Sequence, residues 1–145
     1  MFEDLQKYGI VPNKSSLTYL PKIRNDLMCH FIRGIFDGDG CAYIKNCRGT
    51  KRNNYYHSFS FCGSHTLMED LSIYLYENLN LKILPNVYDY KNRNLSEFKI
   101  VNLKDIIKFC NYIYKNSTIC LNRKYSKYIQ LKKDFDLEQD NTELT

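Results

Sequence analysis

The stretch HFIRGIFDGDGCAYI, His30 to Ile44, carries two carboxylates, Asp37 and Asp39, set between single glycines where an apolar helix pattern gives way to strand-like alternation. Such a pair could open a calcium loop, but position five would be Cys41, and position twelve would be Arg48 where a bidentate Glu is required. A phosphate-cradling loop also fails, because Gly34, Gly38 and Gly40 match neither GxGxxG nor a GK[ST] ending, and no strand precedes them. Helix capping and divalent-metal binding remain. Capping suits Asp37, whose oxygens can take nearby amides, and Gly40, which eases a tight exit into a strand. It suits Asp39 poorly, because a helix C-terminus is electrostatically unfavourable for an anion. One carboxylate plus a backbone carbonyl would give Mg²⁺ a partial shell, with room for water and phosphate oxygens.

Gly34 and Gly38, four residues apart, share a helix face and make it smooth, so a second helix backbone can approach closely. A helix that is apolar on one side and glycine-lined on another is expected to be packed twice. No other cluster competes for chemistry. The six cysteines form no CxxC pair and have no His at ligand spacing, and the three histidines form no HExxH-like group. Both sets read as structural or surface residues, the thiols reduced.

The elements that must position these residues follow from periodicity. A short helical pattern over residues 2–8 stops at Gly9, and IVPNKSSLTYLPKI, with two prolines, reads as an extended connector, so residues 1–25 are a helix and a linker. From Asp26, read as the N-cap, Leu27, Phe31 and Ile35 form one apolar stripe with Met28, Ile32 and Phe36 beside it. Beyond Gly40 the period becomes two, with Ala42, Ile44, His57, Phe59 and Phe61 on the buried face of a hairpin. Ser64 then caps a second helix with Leu67, Leu71 and Leu75 in its stripe, a second hairpin turns at KNRN, and two closing helices have Asn102 and Thr118 as caps. The order predicts an α+β fold over 26–131, an antiparallel sheet with helices on one face. Residues 132–145, with five acids against two lysines, read as an acidic, unstructured tail.

Charge points to a polyanion. The net charge of +5 conceals a body, residues 1–131, with 19 basic against 11 acidic side chains. No run is long and apolar enough for a membrane span, and MFEDLQKYGI lacks the basic and apolar regions of a signal peptide, so an intracellular protein, in cytoplasm or an organelle matrix, with no membrane partner is expected.

IRGIFDGDG, Ile32 to Gly40, resembles the signature of the LAGLIDADG homing endonucleases, and the following order of two hairpins and helices is also that family's. GSHTLMEDL and LNRKYSKYIQL resemble its recurring segments after the second strand and in the last helix. The upstream YGIVPNKSSLTYLPKI is similar to the connector of two-motif members, so the chain looks like their C-terminal half. The resemblance implies a Mg²⁺-dependent endonuclease for double-stranded DNA, working as a homodimer or with a separate N-terminal half. Asp39 would bind metal with the Gly38 carbonyl assisting, and Gly34, Gly38 and Asp37 would lie in the helix pairing. A basic residue of the last helix, Lys124 with Arg123 close behind, would polarise water or steady the transition state. Gly63 and Ser64 stand where members often carry a polar side chain near the active site. That departure favours the alternative, an inactive or truncated half acting as a DNA- or RNA-binding module of maturase or regulator type.

If the sheet's open face lies in the major groove, alternation makes Tyr43, Lys45, Asn54, Tyr56 and Ser58 outward in the first hairpin and Glu97 and Lys99 in the second. Arg48, Lys51, Arg52, Lys91 and Arg93 cluster at the two hairpin tips, suited to phosphate.

Overall fold

The computed structural model describes residues 19–47 and 54–143. The expected N-terminal helix, most of the connector and the tip residues Arg48, Lys51 and Arg52 lie outside them. In order come helix α1 (Asn25–Asp39), strands β1 (Cys41–Cys47) and β2 (Asn54–Gly63), helix α2 (His65–Leu79), strands β3 (Val87–Asp89) and β4 (Ser96–Ile100), and helices α3 (Leu103–Tyr114) and α4 (Asn122–Glu143). The sheet is antiparallel throughout in the order β1-β2-β4-β3, so the two hairpins join along β2 and β4. This is the α+β arrangement the alternation predicts.

Period-two alternation sends Ala42, Phe59, Phe61, Phe98 and Ile100 to the helix-covered face, where all are buried. They meet Met28, Ile32 and Phe36, the i, i+4, i+8 stripe of α1, while Leu27 remains largely exposed and Phe31 and Ile35 half-buried. Phe36 is the hub: its ring lies 5.5 Å from Phe59, 5.3 Å from Phe61 and, edge-on, 5.1 Å from Phe109 of α3. Arg33 donates to the Ile113 carbonyl at 3.0 Å and so ties α1 to α3 on its polar flank.

Capping follows the sequence at two of four helices. Ser64 Oγ accepts from Leu67 N at 3.4 Å and Asn102 Oδ1 from Asp105 N at 3.2 Å. Asp26 is not the N-cap of α1; the helix starts at Asn25 behind Arg24, and the Asp26 carboxylate is instead held by that arginine's guanidinium. Thr118 is not a cap either, because α4 begins at Asn122 and residues 115–121 are a connection. At its far end α4 continues through Glu143, over residues expected to form an unstructured tail. Nothing in 132–143 is Gly or Pro, and its Lys, Asp, Leu, Glu and Gln let a helix already nucleated by packing propagate.

The helix layer is closed by tyrosines. Tyr114, Tyr125 and Tyr128 form a ring cluster with centroids 5.2–5.8 Å apart, and Tyr74 and Tyr112 share a hydroxyl hydrogen bond of 3.1 Å. Burial raises the phenols of Tyr112, Tyr114 and Tyr128 above their ordinary value of 10.0, helped by the Tyr74 bond for Tyr112 and by nearby Asp37 for Tyr114. An acid whose folded pKa is raised contributes stability that is complete below its unfolded value and lost as pH climbs past it. The protein is therefore expected to melt at a lower temperature at about pH 11 than at about pH 8, with a further rise in phenolate absorbance as unfolding releases the buried tyrosines. Lys124, whose burial lowers its pKa, works in the opposite sense, one group against three.

Candidate active-site edge and nucleic-acid interface

The C-terminus of α1 and the start of α4 exchange charges. From α1, the Asp37 carboxylate accepts the Leu121 amide at 3.0 Å and the Tyr114 hydroxyl at 3.1 Å, which puts an anion at the N-terminus of α4. In return, Lys124 from the first turn of α4 donates its Nζ to the Phe36 and Asp37 carbonyls, with the ammonium 4.9 Å from the centre of the Phe36 ring. Lys124 is 1% exposed. Burial lowers its pKa, neighbouring Arg123 lowers it further, and Asp37 and Asp39 act to raise it. A solvated surface lysine is thereby ruled out. The cation that an anion-bearing helix C-terminus requires is supplied within the chain.

Gly40 ends α1 in extended conformation, and its lack of a Cβ is a packing requirement. An added Cβ would lie 2.5 Å from the Phe36 ring and 2.6 Å from the Phe36 carbonyl oxygen. Gly34 and Gly38 differ: a Cβ at either would meet nothing within 4 Å. Both are exposed, flanked by Leu27 and by half-buried Phe31 and Ile35, so the glycine face expected to pack a second time has no partner among the described residues. Asp39 is exposed at the end of this face and accepts no hydrogen bond from a described residue. It borders a groove of about 710 Å³ whose walls include Phe31, Ile35, Leu67 and Ser64.

The other surface is the uncovered side of the sheet. Tyr43 faces Ser58, and Lys45 faces Tyr56, across the β1–β2 ladder, and Lys99 faces Ser60 across β2–β4. Tyr43 and Tyr56 are about half exposed and meet edge-on with centroids 6.0 Å apart, a diagonal cross-strand pair. Ser58 and Ser60 lie between larger neighbours at 7% and 5% exposure, the floor of a shallow depression that Cys41, Tyr43, Tyr56, Glu97 and Lys99 surround. Asn54 pairs with Cys47 at the far end of the ladder. Lys91 and Arg93 are exposed in the β3–β4 turn, where Asn92 takes a left-handed φ of 64°. That hairpin is pinned to α2: the His65 imidazole meets Asp89 Oδ1 at 2.7 Å, Ser96 Oγ donates to the same oxygen at 2.6 Å, and the Asp89 bond raises the His65 pKa.

No family model and no curated protein matches the chain. Solved structures do. A homing endonuclease, I-TnaI, superposes with a TM-score of 0.54 at 14% identity over 81% of this chain and 77% of its own. The group I intron-encoded homing endonuclease I-CeuI, complexed with DNA, gives 0.57 at 14% identity over 99% of this chain and 66% of its own. The meganuclease I-AabMI, bound to uncleaved DNA, gives 0.52 at 15% identity, with 81% of this chain covering 39% of that one.

The chain has the LAGLIDADG homing-endonuclease fold. It spans about two fifths of the I-AabMI chain. Within this fold the residues of the 32–40 stretch separate by position. Asp37 is committed to the α1–α4 junction, Gly34 and Gly38 line a face that no described residue covers, and Asp39 is exposed at its edge with no hydrogen bond from a described residue. Among the described residues no group of three or more His, Cys, Asp and Glu side chains could hold a metal ion, so one copy offers at Asp39 a single carboxylate, a part of the shell that Mg²⁺ completes with water and phosphate oxygens. Ser64 has a structural reason to be polar, since it caps α2, whereas a Cβ at Gly63 would press on the flexible end of the Met68 side chain, 2.9 Å away. None of the described helices is long and apolar enough to cross a membrane.

Cys41 and Ser60 also lie on the open face, though neither is among the residues expected to contact DNA. Parity would have found them, because they alternate in step with Tyr43 and Ser58. The bonds that Tyr90 and Ser60 make to Glu97 leave no comparable signal, as one spans a turn and the other joins strands far apart in sequence.

Proposed function

We propose that the chain is a DNA-binding half of LAGLIDADG type, which lays the open face of its sheet in the major groove and forms a nuclease site only when a second half docks on the Gly34–Gly38 face. The open face carries this reading. Exposed Tyr43, Lys45, Tyr56 and Lys99 form a polar, basic surface on a twisted ribbon of the width the major groove admits, and Lys91 and Arg93 flank it toward the phosphates. Structures of similar fold solved with DNA support a DNA partner. A titration of duplex DNA at increasing salt checks it: log affinity is expected to fall with log salt by about 0.9 for each phosphate neutralised, so half a dozen contacts give a slope near −5. A flat dependence, or preference for single-stranded RNA over duplex, would rule it out.

Metal-dependent cleavage is a second reading, favoured by one observation: Asp39 is exposed and bound to no described partner beside a vacant helix face. One copy supplies one such acid, and pairing would bring two together, from a second copy or a separate half. In a Mg²⁺-dependent cleavage assay on a randomised duplex library, Asp39→Asn is expected to abolish cutting and leave binding intact. Cutting that survives the substitution would remove Asp39 from the reaction.

A further inference from the structure

In the middle of the open sheet face, Glu97 is an anion on a surface otherwise suited to attract one. It is recessed, its side chain 13% exposed against 46% for Lys99, two residues along the same strand and on the same side. Three neighbours converge on its carboxylate: Tyr90 from the β3–β4 turn donates its hydroxyl to Oε2 at 2.6 Å, Lys99 Nζ lies 3.3 Å from the same oxygen, and the Ser60 hydroxyl of β2 adds a bond. A pair this close to solvent adds little to folding stability. It does remove freedom, because an unheld lysine on a sheet surface samples many rotamers and must lose that entropy each time it engages a target.

We propose that Glu97 is a positioning residue that holds the Lys99 ammonium as a donor to the O6 and N7 atoms of one guanine in each half-site. This rests on the DNA-binding reading above. Guanine is the base the chemistry selects, since its major-groove edge alone offers two adjacent acceptors. Adenine sets a donor beside its acceptor, thymine a methyl group, and cytosine presents a donor. The carboxylate thus opposes loose attraction to any phosphate while sharpening recognition of one base. Its removal moves the two properties in opposite directions, which an electrostatic or structural role would not do.

The test is selection of binding sites from a randomised duplex library by the full chain, beside direct affinity measurements on non-specific duplex. Wild-type sites are expected to show a G·C pair at one position per half-site with about tenfold discrimination, and Lys99→Met to remove it. Glu97→Ala is expected to lose most of the guanine preference while binding non-specific duplex more tightly. Tyr90→Phe, which keeps every charge and the strand, is expected to give an intermediate loss. A Glu97→Ala protein that gains affinity and keeps the preference overturns the proposal, as does a wild-type selection with no guanine position. If the wild type captures no duplex at all, the DNA-binding reading itself falls and this inference with it, an outcome recognised before any variant is compared.

Discussion

Lys124→Met is expected to destabilise the fold by about 2–3 kcal/mol, the sum of an orphaned carbonyl and a lost charge–dipole contact. Methionine nearly matches the volume of lysine, so little cavity opens beneath α1. The Phe36 carbonyl keeps one donor, the Gly40 amide at 3.0 Å, but the Asp37 carbonyl loses its ammonium partner in a site where Lys124 is 1% exposed. Against this stands the desolvation of the lysine itself, which already depresses its pKa and which methionine would relieve. We expect the carbonyl term to win, because no other described donor reaches the Asp37 carbonyl and Asp37 still presses its carboxylate on the Leu121 amide ahead of α4. Urea unfolding should show the loss directly, with a melting temperature lower by about 8 °C. A change within 0.5 kcal/mol would mean that the buried ammonium contributes nothing net to the junction.

Gly34→Leu is expected to separate folding from assembly. Inside one copy the new side chain meets open space, and leucine favours a helix interior over glycine by about 0.8–1 kcal/mol, so the melting temperature of the isolated half should hold or rise. A pairing helix would meet the leucine as an obstruction. In a symmetric pair the clash counts twice, and overpacking at about 1–3 kcal/mol per site weakens association by roughly 100-fold or more. Mass in solution across a dilution series, beside a melting curve, reads both effects. Unchanged association would place the partner elsewhere on the molecule, and a strictly monomeric wild type would exclude self-pairing and leave a separate half as the occupant.

Much of this architecture is written in short-range pattern. The Met28, Ile32, Phe36 stripe, the alternation of Ala42 to Phe61, and the Ser64 and Asn102 caps depend on periodicities and local hydrogen bonds a few residues long. The boundaries of α1 and α4 were less legible. The Asp26 carboxylate pairs with exposed Arg24 instead of capping α1, and α4 begins four residues beyond Thr118. The acidic stretch after Leu131 has no apolar face, so pattern alone cannot show that a packed helix behind it will carry on through Glu143.

The two aspartates show where the division falls. Composition and spacing alone set the glycine-lined face, the exposed position of Asp39 and the side of the sheet that stays polar, because each follows from the 3.6 and 2.0 periods of a single element. Only the folded chain decides that Lys124, 88 residues from Phe36, lies buried on its carbonyl, that Asp37 caps a helix other than its own, and that Glu97 gathers Tyr90, Ser60 and Lys99. The first two join groups remote in sequence, and the third brings Ser60 from a separate strand to a carboxylate whose other partners lie close along the chain. These contacts exist because burial removes water as the competing partner, and which groups lose their water is settled by packing, not by neighbours along the chain.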